Sequence, residues 1–235
     1  MKPKSKKVLQ IVVIIILAEV LFFGGMVFQE LRTEKQETIV YTTQEKTITE
    51  HIFSEADAEK LEGKIKTVTG IGMGPNKETG RLLNFTITTT QGNGQILLDT
   101  SERTYDNIFQ SSTRDVKRAV EETTEQDLDS IDIKITTPGI GSVKGSSASI
   151  AIAAGLKSIV TNQEIDKNKA LTGVIRPRGS VAQVGLLNEK IKIAEEAGIE
   201  EILIPAGQCK EYEEPVDIKV TCINNLEEAF DVMKK

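Results

Sequence analysis

In GSVKGSSASIAIAAGL, residues 141–156, glycines and serines run directly into a stretch of Ala and Ile. The spacing predicts a helix over residues 147–160. Ile150, Ile152, Leu156 and Ile159 are distributed around it rather than along one stripe. A helix that is apolar and small-sided all round can approach other backbones on several sides, which is how a central helix is packed. The serines at its start admit two readings. Ser146 or Ser147 can cap the orphan N–H groups of the first turn, a role worth about 1 kcal/mol; or Ser147 is a nucleophile, which requires a base to activate it.

Outward from this helix, strands and helices mix. KIKTVTGIGMGPNKETGRLLNFTITTT reads as two strands around a glycine-rich turn, because Ile, Val, Phe and Thr dominate and Gly, Pro and Asn cluster between them. Gly70, Gly72 and Gly74 do not make a phosphate loop, since a strand and not a helix follows. A short helix or turn is predicted from Ser54, a strand over 92–98, and a helix over 105–122 anchored by Ile108, Phe109, Val116 and Val120. IDIKITTPG is a strand of period two. Further strands are predicted over 170–175, 201–205 and 218–222, with helices over 186–197 and 226–234. The pattern is that of an α/β (α+β) domain with a mixed, largely buried sheet and packed helices.

The base for Ser147 cannot readily be histidine, because the chain has one, His51, at the edge of a polar tether and far in sequence from Ser147. Lysine remains, and most lysines fall on solvated faces. In GLLNEKIKIAEEAG, with Leu187 at zero and ~100° per residue, Asn188, Glu189, Lys192, Glu195 and Glu196 form a continuous polar arc. Leu186, Leu187, Ile191, Ile193, Ala194, Ala197 and Gly198 occupy the opposite arc, and Lys190 is its one charged member. Either its stem packs while the ammonium snorkels out, or it is desolvated and its pKa falls toward the range where a neutral amine can take a proton. An unperturbed lysine near ~10.4 would be handicapped by roughly 4.6 kcal/mol at pH 7.

Composition narrows the function classes. The 235 residues are 39% hydrophobic, 27% charged and 4% aromatic, with a net charge of −6 and no basic stripe interleaved with aromatics, so no nucleic-acid partner is expected. One histidine and two cysteines outside Cys-x-x-Cys spacing give no metal site, and no cofactor is expected. Cys209 and Cys222 are either a disulfide or two free thiols. Val8 to Phe28 is mostly aliphatic and long enough, at about 1.5 Å per residue, to cross a hydrocarbon core. Glu19, inside it, suits association with a partner helix. The run is longer than a signal-peptide core and no Ala-x-Ala-like site follows cleanly, which favours an uncleaved anchor. Lys2, Lys4, Lys6 and Lys7 keep the N-terminus in the cytoplasm. The expected organisation is a basic tail at 1–7, a single transmembrane anchor at 8–28, a polar threonine-rich tether at 29–50, and a folded domain at 51–235 outside the cell membrane.

These residues resemble a known family, the proteolytic domain of the Lon proteases, whose archaeal branch carries the nucleophile motif Gly-Asp-Ser-Ala-Ser. Here Gly145, Ser146, Ser147, Ala148 and Ser149 stand in its place. The family's Gly-Gly-x-x-x-Lys motif is matched by Gly185, Leu186, Leu187, Asn188, Glu189 and Lys190, its Met-Thr-Gly by Leu171, Thr172 and Gly173, and its basic-Gly turn by Arg178 and Gly179. The register runs from serine to lysine without a gap. Ser146 replaces the usual acid or proline, and Val174 stands where bacterial members have glutamate. The resemblance implies a Lon-type proteolytic fold and a Ser-Lys dyad of Ser147 and Lys190, supported by Thr172, Ser146 and Ala148, with backbone N–H groups near Ser147 as oxyanion donors. It also implies a polypeptide substrate and a homo-oligomer, a hexameric ring. No Walker Gly-Lys-Ser/Thr loop is present, so the expected activity is ATP-independent cleavage of unfolded or flexible chains. The second reading is an inactive Lon-like module tethered to the membrane for binding or scaffolding.

Overall fold

The computed structural model describes residues 59–73, 80–212 and 217–235. The predicted tail, membrane anchor and tether, with His51, lie outside the described residues. Among those that are described, no helix is long and apolar enough to cross a membrane.

The predicted glycine-turn pair is present as β1 (Ile65–Met73) and β2 (Gly80–Gln91), antiparallel over their length. They form the middle of a seven-stranded mixed sheet. β2 pairs with β5 (Ile131–Thr136), which carries β3 (Ile96–Leu98) at one edge; β1 pairs in parallel with β7 (Lys169–Leu171), followed by β10 (Glu201–Pro205) and β11 (Lys219–Ile223). Two smaller ribbons complete the strands: β4 (Arg103–Tyr105) with β6 (Gly141–Val143), and β8 (Val174–Ile175) with β9 (Val181–Ala182).

The period-two strands divide their side chains between two cores. Val68, Phe85, Ile87 and Ile133 meet the helices α1 (Asn107–Thr124), α2 (Ser149–Val160) and α4 (Leu226–Met233). Ile71, Ile202 and Ile204 point the other way, toward Leu187, Ile191 and Ala194 of α3 (Leu187–Glu196). Every residue of α2 is buried, as its small-sided composition requires. At Gly155 an added Cβ would stand 2.5 Å from Ile87, so glycine sets how closely the helix lies on the sheet.

Four expectations are corrected. The strand over 170–175 is two strands, because after Thr172 N bonds to Leu203 O of the neighbouring strand, the Gly173 N–H turns to Ser147 O instead of continuing the ladder. Ile108 is 60% exposed and anchors nothing, unlike Phe109, Val116 and Val120; it sits in the first turn of α1, beyond the packed stripe. Ala197 and Gly198, assigned to the apolar arc of α3, lie past its last turn and are exposed. The helix predicted from Ser147 begins at Ser149. Of the two cysteine readings, the disulfide is the one observed: Cys209 and Cys222 are bonded, with Cα atoms 6.0 Å apart.

Candidate active site

Three segments build the site. The first is the turn between β6 and α2. Gly145 takes φ +75°, a conformation open to glycine at little cost, and its N–H donates to both carboxylate oxygens of Asp106 (3.2 and 3.1 Å). The same carboxylate accepts from Phe109 N (2.7 Å) as the N-cap of α1. Asp106 thus ties the turn to the start of a second helix, two residues before Ser147. Ser146 accepts from Ser149 N through its carbonyl (3.0 Å), and Ser147 is half-buried.

The N-cap position of α2 belongs to Ala148, which has no side chain to cap with. This decides against the cap reading for both serines at the chain segment where it was strongest. Ala148 itself is 5% exposed and packs toward Gly70 of β1, where a Cβ would approach its own to 3.2 Å. Ser149, the last residue of the motif matched over 145–149, is buried and its Oγ accepts from Ile175 N (2.9 Å), pinning α2 to β8.

The second segment is the break between β7 and β8. Ser147 O accepts from Gly173 N (2.8 Å) and from Thr172 Oγ1 (3.3 Å). Gly173 has no room for a side chain, since a Cβ would stand 2.7 Å from Val181. The predicted turn at Arg178 and Gly179 is a one-turn 3₁₀ helix, with both residues at positive φ.

The third segment is α3. Lys190 is 3% exposed, and its Nζ donates to Thr172 Oγ1 (3.3 Å). Thr172 is fully buried, so one hydroxyl bridges the lysine amine to the carbonyl of Ser147. Among the described residues no carboxylate forms an ion pair with Lys190. Burial alone lowers its pKa to about 8, which leaves roughly one amine in ten neutral at pH 7. The snorkelling alternative therefore fails: the amine is inside. Leu186, in the place of the motif's second glycine, takes φ +57° and ψ +48° as the residue before α3. A left-handed non-glycine costs roughly 1–2 kcal/mol, and here its side chain lines a cleft.

That cleft, about 710 Å³, brings the pieces together: Ser147, Ala148 and Lys190 line it with Leu186, Ile71 and Leu83. A hydroxyl and a desolvated amine facing one groove can carry out nucleophilic attack and proton transfer. One buried lysine escaped the sequence reading. Lys157 in α2 is 4% exposed, and no polar arc exists on a helix buried all round to betray it. For metal, the one carboxylate cluster among the described residues is Glu121, Asp127 and Asp129, remote from the cleft in its residues and already met by Lys117.

Comparison with known proteins gives a consistent picture. The family described as Lon protease (S16) C-terminal proteolytic domain matches residues 38–234. A Lon protease of Halothermothrix orenii is 28% identical over 187 residues, covering 74% of this chain and 24% of that protein. An archaeal Lon protease of Methanothermobacter thermautotrophicus is 34% identical over 118 residues, covering 47% and 18%. A Lon protease of Aquifex aeolicus is 38% identical over 109 residues, covering 43% and 14%. The chain spans a quarter or less of the length of these relatives.

Proposed function

Because the chain belongs to the family of Lon protease C-terminal proteolytic domains, we propose that it is a serine endopeptidase that hydrolyses peptide bonds with a Ser147–Lys190 dyad. The observation that carries this reading is Lys190, buried with a hydroxyl and, among the described residues, no carboxylate as its partner, lining the same cleft as Ser147. The neutral amine takes the proton of Ser147 as Oγ adds to the scissile carbonyl, and the resulting ammonium gives it to the leaving amine. Water then repeats the sequence on the acyl-enzyme and frees Ser147. Thr172 holds the amine. Backbone N–H groups at the entry to α2 stabilise the oxyanion, a contribution of about 3 kcal/mol per donor where it has been removed in comparable sites.

The same proposal covers the setting of the enzyme. Residues 8–28 anchor it in the cell membrane, with a cytoplasmic tail at 1–7, a tether at 29–50 and the catalytic domain from 51 outside; the apolar run and the basic tail support this, as does the Cys209–Cys222 disulfide, which persists in oxidising compartments. Cleavage proceeds without ATP, in keeping with a sequence that lacks a Walker loop. Folded domains are stable by roughly 5–15 kcal/mol, so without a motor the substrates are flexible tails and unfolded chains. Assembly into a ring of like chains follows the family resemblance.

The test is hydrolysis of an unfolded protein by the full chain, its Ser147→Ala and its Lys190→Ala variants, from pH 7 to 10 without ATP. Wild type should cleave and both variants should not; equal rates in all three would overturn the dyad. Orientation is read separately by protease access to the domain in sealed vesicles, where protection in cytoplasm-enclosing vesicles would reverse the outward placement.

A further inference from the structure

Beside the proposed dyad, two arginines from distant parts of the chain converge. Arg103 on β4 and Gly141 on β6 are cross-strand partners, and Gly141 lines the cleft. The point where a Gly141 Cβ would sit is 3.9 Å from Arg103 Nη1 and 3.5 Å from Arg81 Nη2. Gly141 takes φ +125° and keeps that space open. Arg81 is exposed and lines the cleft; Arg103 is 3% exposed.

Their bonding is incomplete. Arg103 donates from Nε to Thr137 O (3.2 Å) and Pro138 O (3.1 Å), and from Nη2 to Pro138 O, but Nη1 is buried without a hydrogen-bond partner. Tyr105 Oη, two residues along β4, and Thr137 Oγ1 are also buried and unpartnered. A guanidinium donor left in this state costs free energy until an acceptor arrives. Burial, and then the charge of Arg81, push the pKa of Arg103 down, so the two cations feel each other. The charge of Glu102 acts against this shift but does not outweigh it; its carboxylate accepts from Gly139 N (3.1 Å), and among the described residues neither arginine has a carboxylate in ion-pair reach. Among the described residues, the cleft has cations on its wall at Arg81, Lys144 and Lys190 and no acidic residue, on a chain whose net charge is −6.

We propose that Arg81 and Arg103, converging beside Gly141 at the rim of the cleft, form a carboxylate-binding subsite that selects polypeptides with an acidic side chain or a chain-terminal carboxylate near the bond to be cleaved. The planar forks suit a carboxylate bonded by both arginines, and a charged acceptor relieves both their mutual repulsion and the orphaned Nη1. The inference rests on the peptidase reading for its substrate class, and its test does not depend on turnover.

The experiment measures binding to the full chain carrying Ser147→Ala, by fluorescence anisotropy. The probes are labelled, C-terminally amidated peptides with one leucine and a Glu or Gln moved through the flanking positions, plus the Gln peptide as free acid. The carboxylate form should bind about tenfold tighter than its neutral counterpart, as expected of a charge-assisted pair of hydrogen bonds, and Arg81→Gln, at an exposed position that leaves folding intact, should bring the ratio close to one. A preference for Glu identifies side chains as the source, and a preference for the free acid identifies chain ends. Equal binding of charged and neutral peptides, no binding of any, or a ratio that survives Arg81→Gln would overturn the subsite. Charge-dependent binding by a wild-type chain that cleaves none of the peptides would instead sink the peptidase reading and leave the subsite standing.

Discussion

Lys157 and Lys190 are buried to nearly the same degree, 4% and 3% exposed, on two helices of one domain, and they are built for opposite ends. Lys157 lies in the last turn of α2, near the negative end of that helix dipole. Its Nζ is paired with the Glu227 carboxylate and stands 5.5 Å from the centre of the Phe230 ring. Lys190 closes the first turn of α3, near the positive end, and its partner is the Thr172 hydroxyl. Burial is common to both, so burial alone does not set the proposed base apart. What separates them is whether the charge is met. A carboxylate and a ring favour an ammonium, whereas a hydroxyl at a helix start lets the proton leave.

The largest effect that divides them is on hydrolysis. Lys190→Met should reduce kcat by at least about 10³-fold, as should Ser147→Ala, while Lys157→Met leaves it within about twofold of wild type. Lys190→Arg should be as inactive as the methionine variant, because a guanidinium does not give up its proton near neutral pH. Misfolding is excluded as the cause by a second measurement. The folded-state pKa of Lys190, about 8, lies below its ordinary value of 10.5, so the unfolded chain binds more protons across that window and wild-type stability rises as pH climbs through it. Below it, the buried ammonium is a burden, and Lys190→Met should be more stable at pH 7 by about 2–3 kcal/mol. That advantage should vanish above pH 10.5. A methionine variant that is less stable at pH 7 would mean that the lysine is not held without its charge partner.

A smaller effect is expected at Thr172. Thr172→Val removes the bridge between Lys190 and Ser147 O with little change of volume. It should lower kcat about 10–100-fold with KM nearly unchanged, and Thr172→Ser should restore most of the loss. A change confined to KM would make Thr172 a packing residue. Smaller again is the pH response: kcat/KM should rise about tenfold from pH 7 to 9 as the Lys190 amine loses its proton. A profile flat over that range would disconnect the rate from this lysine.

How far such distinctions can be read without coordinates depends on whether they are written along one element or between several. The strand Glu201–Pro205 and the helix over Leu187–Glu196 follow from periodicity, and Lys190 stands out because a polar arc lies opposite it. Lys157 does not stand out, since its helix has no polar side to serve as contrast. The break at Thr172–Gly173 is made where the Gly173 N–H bonds to Ser147 O, a partner that no local pattern reveals. Local sequence suits Ser147 to capping, and it is the helix start at Ser149, with Ala148 before it, that removes this role. Arg103 is set beside Gly141 by the pairing of β4 with β6 and Arg81 reaches the same glycine from β2, so neither carries a local signal.

The finest test turns Lys157 toward the condition of Lys190. Glu227 is 53% exposed in its side chain and Lys157 5%, so removing either partner leaves a different residue behind. With Lys157→Met the orphaned carboxylate can take up water, and stability should change by less than about 1 kcal/mol. With Glu227→Gln an ammonium stays buried against the Phe230 ring, at a cost of about 1–2 kcal/mol, below the range for a fully buried pair because Glu227 is half in solvent. The unequal cost, read from thermal unfolding at pH 7 with hydrolysis unchanged in both variants, would show that the Glu227 carboxylate is what makes the buried Lys157 tolerable. Equal costs would mean that the pair is a surface contact. The contrast with Lys190 would then rest on the helix ends and the hydroxyl alone.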